Sequence, residues 1–185
     1  MIARPEQVRT LHVDLVPMRR RHLRSVLKIE AQVYPRPWTL GLFMSELALK
    51  TMRIYVVAKV QGTVVGYAGL MLTGDDGHVT TIAVDPAWQR HGIGARLLVV
   101  LSRAGIAREC RGLTLEVRVS NEPAKAMYAR FGYVPAGIRK GYYAETNEDA
   151  LVMWAHDVDL PEYAQRLREV EATINGTTAV EAGID

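Results

Sequence analysis

Between Arg53 and Val84 the chain strings together three short β-branched and aromatic runs, Ile54-Tyr55-Val56-Val57, Val64-Val65-Gly66-Tyr67-Ala68 and Val79 to Val84. Gln61-Gly62 and Asp75-Asp76-Gly77 separate them, and runs this short with this punctuation predict an antiparallel meander. Directly afterwards Ile93, Leu97, Leu101 and Ala104 fall on one stripe of a helix over about 93–109. That stripe can cover one face of the sheet, so the chain is expected to be α/β.

The flanking segments extend the pattern. Leu11 to Val16 reads as a strand, and Leu23, Val26, Leu27 and Ile29 recur at helical spacing. Pro35 and Pro37 then break that helix, and Thr39 is placed to cap a second one over 40–49. Leu113 to Val119 reads as a strand, Asn121 to Phe131 as a helix closed by Gly132, and Tyr133 to Ile138 and Ala150 to Val158 as final strands. Beyond Leu160 the apolar content thins to a helix near Pro161 to Ala172 and, over Asn175 to Asp185, an expected frayed tail. A length of 185 residues suits one domain, here expected over 1–158 with an extension over 159–185.

Composition narrows the function classes. A formal charge of +3 is too small an excess for a dedicated nucleic-acid binder, and the basic run Arg19 to His22 with Arg24 reads as a solvated helix entrance. The single cysteine, Cys110, excludes an internal disulfide and points to a reducing cytoplasm. It lies at the end of a helix with no histidine partner in view and reads as a packing residue. The five histidines show no metal-ligand spacing, and the densest aliphatic run, Leu97 to Leu101, is too short to span a bilayer. No metal, membrane or nucleic acid is expected.

The most informative segment is Ile82-Ala83-Val84-Asp85-Pro86-Ala87-Trp88-Gln89-Arg90-His91-Gly92-Ile93-Gly94. It runs from a strand through a proline loop into a helix N-terminus, where unsatisfied amides and the helix dipole favour an anion. Two glycines alone often only relieve crowding, but the strand before them and the helix after them favour a phosphate-gripping turn. Arg90, His91 and Arg96 add basic character. There is no Gly-Lys-Ser/Thr ending and no third spaced glycine, which excludes the nucleoside-triphosphatase and dinucleotide patterns.

Gln-Arg-His-Gly-Ile-Gly fits the Gln/Arg-x-x-Gly-x-Gly/Ala motif of the GNAT superfamily of N-acetyltransferases. The resemblance extends over about 11–157 and includes Leu-Glu-Val-Arg-x-Ser-Asn, Ala-x-x-Met-Tyr-x-x-Phe-Gly-Tyr and a late Gly-Tyr-Tyr. Within the superfamily the chain looks most like the bacterial RimI branch, which acetylates the N-terminal alanine of ribosomal small-subunit protein eighteen. The resemblance implies a single mixed, mostly antiparallel sheet, splayed at the acetyl-CoA site and flanked by helices. It implies that acetyl-CoA lies against Ile82, Ala83 and Val84, then Gln89, Arg90, His91, Gly92, Ile93 and Gly94, and Asn121, whose simpler role is a helix cap.

Residue chemistry supplies candidates beside the resemblance. In Leu113 to Val119 the period-two alternation puts Thr114, Glu116 and Arg118 on one face, which suggests an opening beside the strand. Glu116 is either, as the resemblance implies, a general base for the attacking amine or one half of an ion pair with an arginine. Tyr128 is either a core tyrosine or, as the resemblance implies, the donor to the departing thiolate. The resemblance also places the acceptor amine near Trp38, Tyr142 and Tyr143, and it departs from the family at Gly141, where an asparagine is usual. A protein N-terminus is the acceptor it implies; a small-molecule amine or a non-catalytic acetyl-CoA sensor are the alternatives.

Overall fold

A computed structural model describes residues 11–184. The first ten residues, which fall within the expected domain over 1–158, and Asp185, at the end of the extension, lie outside the described residues. The elements run β1 (His12–Pro17), α1 (Leu23–Val33), α2 (Leu40–Ala48), β2 (Arg53–Val60), β3 (Thr63–Thr73), β4 (Asp76–Val84), α3 (Ile93–Ala107), β5 (Gly112–Arg118), α4 (Glu122–Arg130), β6 (Val134–Tyr143), β7 (Glu148–His156), α5 (Pro161–Ala172) and β8 (Thr177–Val180). They build one eight-stranded sheet in the order β6-β7-β5-β4-β3-β2-β1-β8. Every neighbouring pair is antiparallel except β4 with β5 and β1 with β8. The mixed, mostly antiparallel sheet expected from the sequence is therefore present.

Local chemistry explains the boundaries. Gln61 and Gly62 both take positive φ, 49° and 81°, as the tight β2–β3 turn demands. The β3–β4 turn falls at Gly74 and Asp75, one residue before the expected Asp75-Asp76-Gly77, because Gly74 supplies the left-handed φ of 57° and Asp76 already pairs with Thr73. Thr39 caps α2 by accepting from the amide of Leu42 at 3.2 Å.

The sheet is covered on both faces. On one, Leu97, Leu98 and Leu101 of α3 and Tyr163, Leu167 and Val170 of α5 are buried with Leu15, Val56, Leu70 and Leu115. Each fully buried aliphatic side chain stabilises by about 1.5–3 kcal/mol, so α3 is the chief organiser of this layer. On the other face Val26 and Ile29 of α1 and Phe43 of α2 pack on Tyr55, Val57 and Tyr67.

The expected frayed tail is corrected. Thr177 to Val180 forms β8, parallel to β1 in the register His12 with Thr177 through Leu15 with Val180. Ile184 is buried in the core beneath α3. A β-prone Thr-Thr-Ala-Val run needs only an open edge, and β1 offers one. The extension over 159–184 therefore shares the core of the preceding residues.

The feature that positions the site is a parting of strands. β4 and β5 pair only from Asp76 with Gly112 to Val79 with Leu115, although β4 continues to Val84 and β5 to Arg118. The parting begins at Thr80, the extra residue of a bulge where β3 passes from Gly69 to Leu70. A side chain on Gly69 would occupy the space of the Tyr55 ring and the Thr80 hydroxyl, so glycine is what lets the bulge form.

Candidate active site

The glycine turn has the geometry of an anion site. Arg90 and Gly92 take positive φ, 63° and 75°, and Gly92 is the N-cap of α3 with no side chain capping it. The first backbone bond of α3 runs from the Arg96 amide to Gly92 at 3.0 Å, which leaves the amides ahead of Arg96 without intrahelical partners. Gln89 and His91 are folded back on the turn: Gln89 Nε2 donates to the Val84 carbonyl at 3.3 Å, and His91 Nδ1 lies 2.8 Å from the Gln89 carbonyl. Gly94 lies against α4, where an added Cβ would sit 3.4 Å from the Met127 sulfur.

Arg96, expected to add basic character to the turn, lies behind it and donates to the His91 carbonyl at 3.2 Å. It is 2% exposed and faces away from the turn's mouth, into the C-terminal segment. Four residues from Gly92 on a helix is the same side of the cylinder, but behind the turn.

Within the opening β4 presents its backbone edge. Tyr34, at the end of α1, donates its hydroxyl to the Ile82 carbonyl at 2.8 Å. Asp85 donates its amide outward to Val65 of β3 at 2.9 Å. Peptide groups of a strand alternate in direction, so Ile82 and Val84 face the opening while Ala83 and Asp85 face β3. The Val84 amide thus points where β5 would otherwise lie.

On the other wall, Thr114, Glu116 and Arg118 share the face opposite Leu113, Leu115 and Val117, as the alternation predicts. Glu116 is held by both kinds of partner: His78 Nε2 at 3.0 Å and Arg139 Nη1 at 3.2 Å. The His78 hydrogen bond, then the charges of His78 and Arg139, hold its carboxyl below the ordinary value despite its partial burial. Glu116 is therefore an ionised carboxylate at neutral pH, and the ion-pair reading of this residue is realised. A base role and an ion pair are compatible.

Tyr128 is buried, its ring 5.8 Å from that of Tyr133. Burial first, then the nearby Tyr34 and Tyr143, push its phenol well above the usual value, so it is protonated and able to donate. Tyr34 and Tyr143 thus lie near Tyr128, and Tyr34 in turn helps to raise the phenol of Tyr143. Asn121 caps α4, its Oδ1 accepting from the Ala124 amide at 3.2 Å. Cys110 is buried, and burial raises its thiol, in keeping with a packing role.

Of the residues expected on the acceptor side, Tyr143 is held by a charge. Arg118 lies 3.9 Å over the Tyr143 ring and is itself held by Glu145 at 2.6 Å and Glu148 at 3.1 Å. Tyr142 is half exposed and meets Tyr143 edge-on at 5.1 Å. Trp38 donates its amide to Glu30 at 2.8 Å and packs on Phe43. Gly141 has φ of 59°, a left-handed conformation in which asparagine is the next most tolerated residue, which explains the exchange of asparagine for glycine. Sequence reading missed Tyr34, His78, Arg139 and Glu30 in this site. Tyr34 and Glu30 are four apart on α1, a spacing that could have paired them; His78 reaches Glu116 from the neighbouring strand β4 and Arg139 from β6 across β7, a proximity that only the sheet order creates.

Residues 23–133 match the Acetyltransferase (GNAT) family. The chain belongs to the GNAT family. Its GNAT relatives include a putative ribosomal protein bS18-alanine N-acetyltransferase of Bacillus subtilis, 39% identical over 74% of this chain and 91% of that one. The bS18-alanine N-acetyltransferase of Escherichia coli is 33% identical over 71% of this chain and 88% of its own length. The crystal structure of the S18-alanine N-acetyltransferase from E. coli superposes with a TM-score of 0.72 at 29% identity, covering 78% of this chain and 94% of that one. This GNAT chain is accordingly an N-acetyltransferase of RimI type. GNAT acetyltransferases use acetyl-CoA, and the uncapped α3 N-terminus with its two glycines suits the anionic diphosphate of that molecule. Among the described residues no group of three or more His, Cys, Asp and Glu side chains is placed to hold a metal, and no helix is long and apolar enough to cross a membrane.

Proposed function

We propose that the chain transfers an acetyl group from acetyl-CoA directly to the α-amine of a protein N-terminus, the alanine of ribosomal protein bS18 being its acceptor. The observation that carries this reading is the gap between β4 and β5, which has a backbone donor on one wall, an ionised carboxylate on the other and an uncapped helix N-terminus at one end. Acetyl-CoA supplies a thioester, whose carbonyl carbon is open to an amine. The relatives named for bS18 alanine acetylation support the choice of acceptor.

Each residue then has a task. The free amides of Ile93, Gly94 and Ala95 bind the diphosphate. The Val84 amide donates to the thioester oxygen as charge develops on it. An α-ammonium has a reference pKa of about 8 and no lone pair, so Glu116, with His78 beside it, receives the proton directly or through water. Tyr128 donates its hydroxyl hydrogen to the departing sulfur. Trp38, Tyr142 and Tyr143 flank the entrance of the peptide, and Asn121 serves coenzyme A while capping α4. A ribosomal acceptor puts the reaction in the cytoplasm.

The acidic groups near the entrance, Glu145 and Glu148, are already paired with Arg118, which disfavours a polyamine or amino sugar as acceptor. The deciding measurement is release of coenzyme A thiol with an Ala-starting bS18 peptide, compared with a panel of small amines, together with the mass of the peptide N-terminus. Turnover on small amines alone would replace this acceptor. Tight coenzyme A binding with no thiol released on any amine would make the chain a sensor.

A further inference from the structure

Behind the glycine turn, Arg96 joins the turn to the end of the chain. Its Nη1 donates to the His91 carbonyl at 3.2 Å, Nη2 to the Asn175 carbonyl at 2.6 Å and Nε to the Thr178 hydroxyl at 2.8 Å. All three partners are uncharged, and burial, only partly offset by the charge of Glu171, lowers the pKa of a guanidinium that is 2% exposed. Such burial costs free energy that no ion pair returns, so the guanidinium is held by geometry. The same segment presses on the turn directly, since an added Cβ on Gly92 would lie 2.8 Å from both Arg96 Nη1 and Ile174 Cγ2.

We propose that residues 174–178 and Arg96 form a positioning element for the diphosphate turn. This inference rests on the acetyl-CoA reading above. The segment fixes the guanidinium; the guanidinium fixes the His91 peptide, one residue before the left-handed Gly92; and the amides that follow are thereby held ready for an anion. A buried positive charge behind those amides adds to their field. The family match ends at residue 133, so Arg96 lies within it and residues 174–178 lie beyond it. It is anchored independently, through the Thr177 amide bonded to Leu11 at 2.8 Å and the Glu181 amide bonded to Leu15 at 2.8 Å. A change at Thr178 therefore tests the link while those strand bonds remain.

The experiment compares the unsubstituted full chain with Thr178→Val, Arg96→Lys and Arg96→Met by calorimetric titration of coenzyme A and by steady-state rates. Thr178→Val, which deletes one hydrogen bond to the guanidinium, should raise the coenzyme A Kd and the acetyl-CoA KM by about threefold. Arg96→Met, which deletes all three, should raise them by about tenfold or more. Arg96→Lys should fall between them. kcat and the acceptor KM should not move. S-Acetylpantetheine, which has no diphosphate, should be used equally well by all four proteins; a purely structural role would impair both donors alike or only lower Tm. Should Arg96→Met fail to fold, Thr178→Val and Arg96→Lys still decide. Coenzyme A affinity unchanged in those two overturns this proposal alone, whereas no coenzyme A affinity in the unsubstituted chain overturns the functional reading and this one with it.

Discussion

His78 Nε2 lies 3.0 Å from Glu116 Oε2, on two strands whose ladder ends at the next rung, Val79 with Leu115. The pair therefore sits at the apex of the opening. Because this contact and Arg139 depress the Glu116 carboxyl, the carboxylate persists to lower pH than an ordinary glutamate. Its contribution to stability is present above the unfolded value of 4.5 and is lost as pH falls through the lower folded value. Substituting His78→Ala should move the Glu116 carboxyl upward, as read by carbon NMR titration; an unmoved carboxyl would remove His78 as the cause. Glu116→Gln should lower kcat about 100-fold or more near neutral pH while leaving the coenzyme A Kd unchanged.

Tyr128→Phe should lower kcat by about tenfold to 100-fold with little change in acetyl-CoA KM, because only the donor to the leaving sulfur is removed. Since burial raises the phenol, the unsubstituted enzyme should show no activity loss assignable to Tyr128 ionisation below pH of about 10. A Tyr128→Phe enzyme with full kcat would return Tyr128 to the core.

Glu30 is 2% exposed, and burial raises its carboxyl to about 7, although the Trp38 amide partly opposes this. The folded state thus holds a proton that the unfolded state releases, and stability present below 4.5 is lost as pH rises through about 7. Oε2 has no hydrogen-bond partner, so a neutral amide fits there without an orphaned charge. Glu30→Gln should therefore raise stability at pH 8 by roughly 1–3 kcal/mol relative to the unsubstituted chain, with the advantage shrinking toward pH 5. Thermal unfolding across that range checks the slope.

Gly69→Ala should destabilise by about 1–3 kcal/mol, because its methyl meets the Tyr55 ring and Thr80 at the bulge where the strands part. If the bulge is lost in relieving the clash, acetyl transfer should fall further than stability alone requires, which urea unfolding and kcat/KM measured side by side would reveal.

Much of this was legible in the residues. The strand runs of 53–84, the Thr39 cap and the helix over 161–172 carry local signals, periodicity or a capping hydroxyl, and they fold accordingly. Glu116 was placed on the polar face of β5 by alternation alone. The partners of Glu116 are not legible, since β4 comes beside β5 only through the crossover over α3 and β6 comes within reach only across β7. Thr177 to Val180 shows little in the sequence, because four residues carry little periodic signal and an edge 165 residues away supplies the pairing. The burial of Arg96 is not legible, because composition does not say which side of a helix a neighbouring segment will cover.

The Ile82 and Val84 carbonyls are already engaged, one by the Tyr34 phenol and the other by the Gln89 side chain. What this stretch of β4 still offers a guest is its amide hydrogens. An extended molecule lying along it must therefore bring acceptors of its own, so a carbonyl-bearing arm is welcomed and one rich only in donors is turned away.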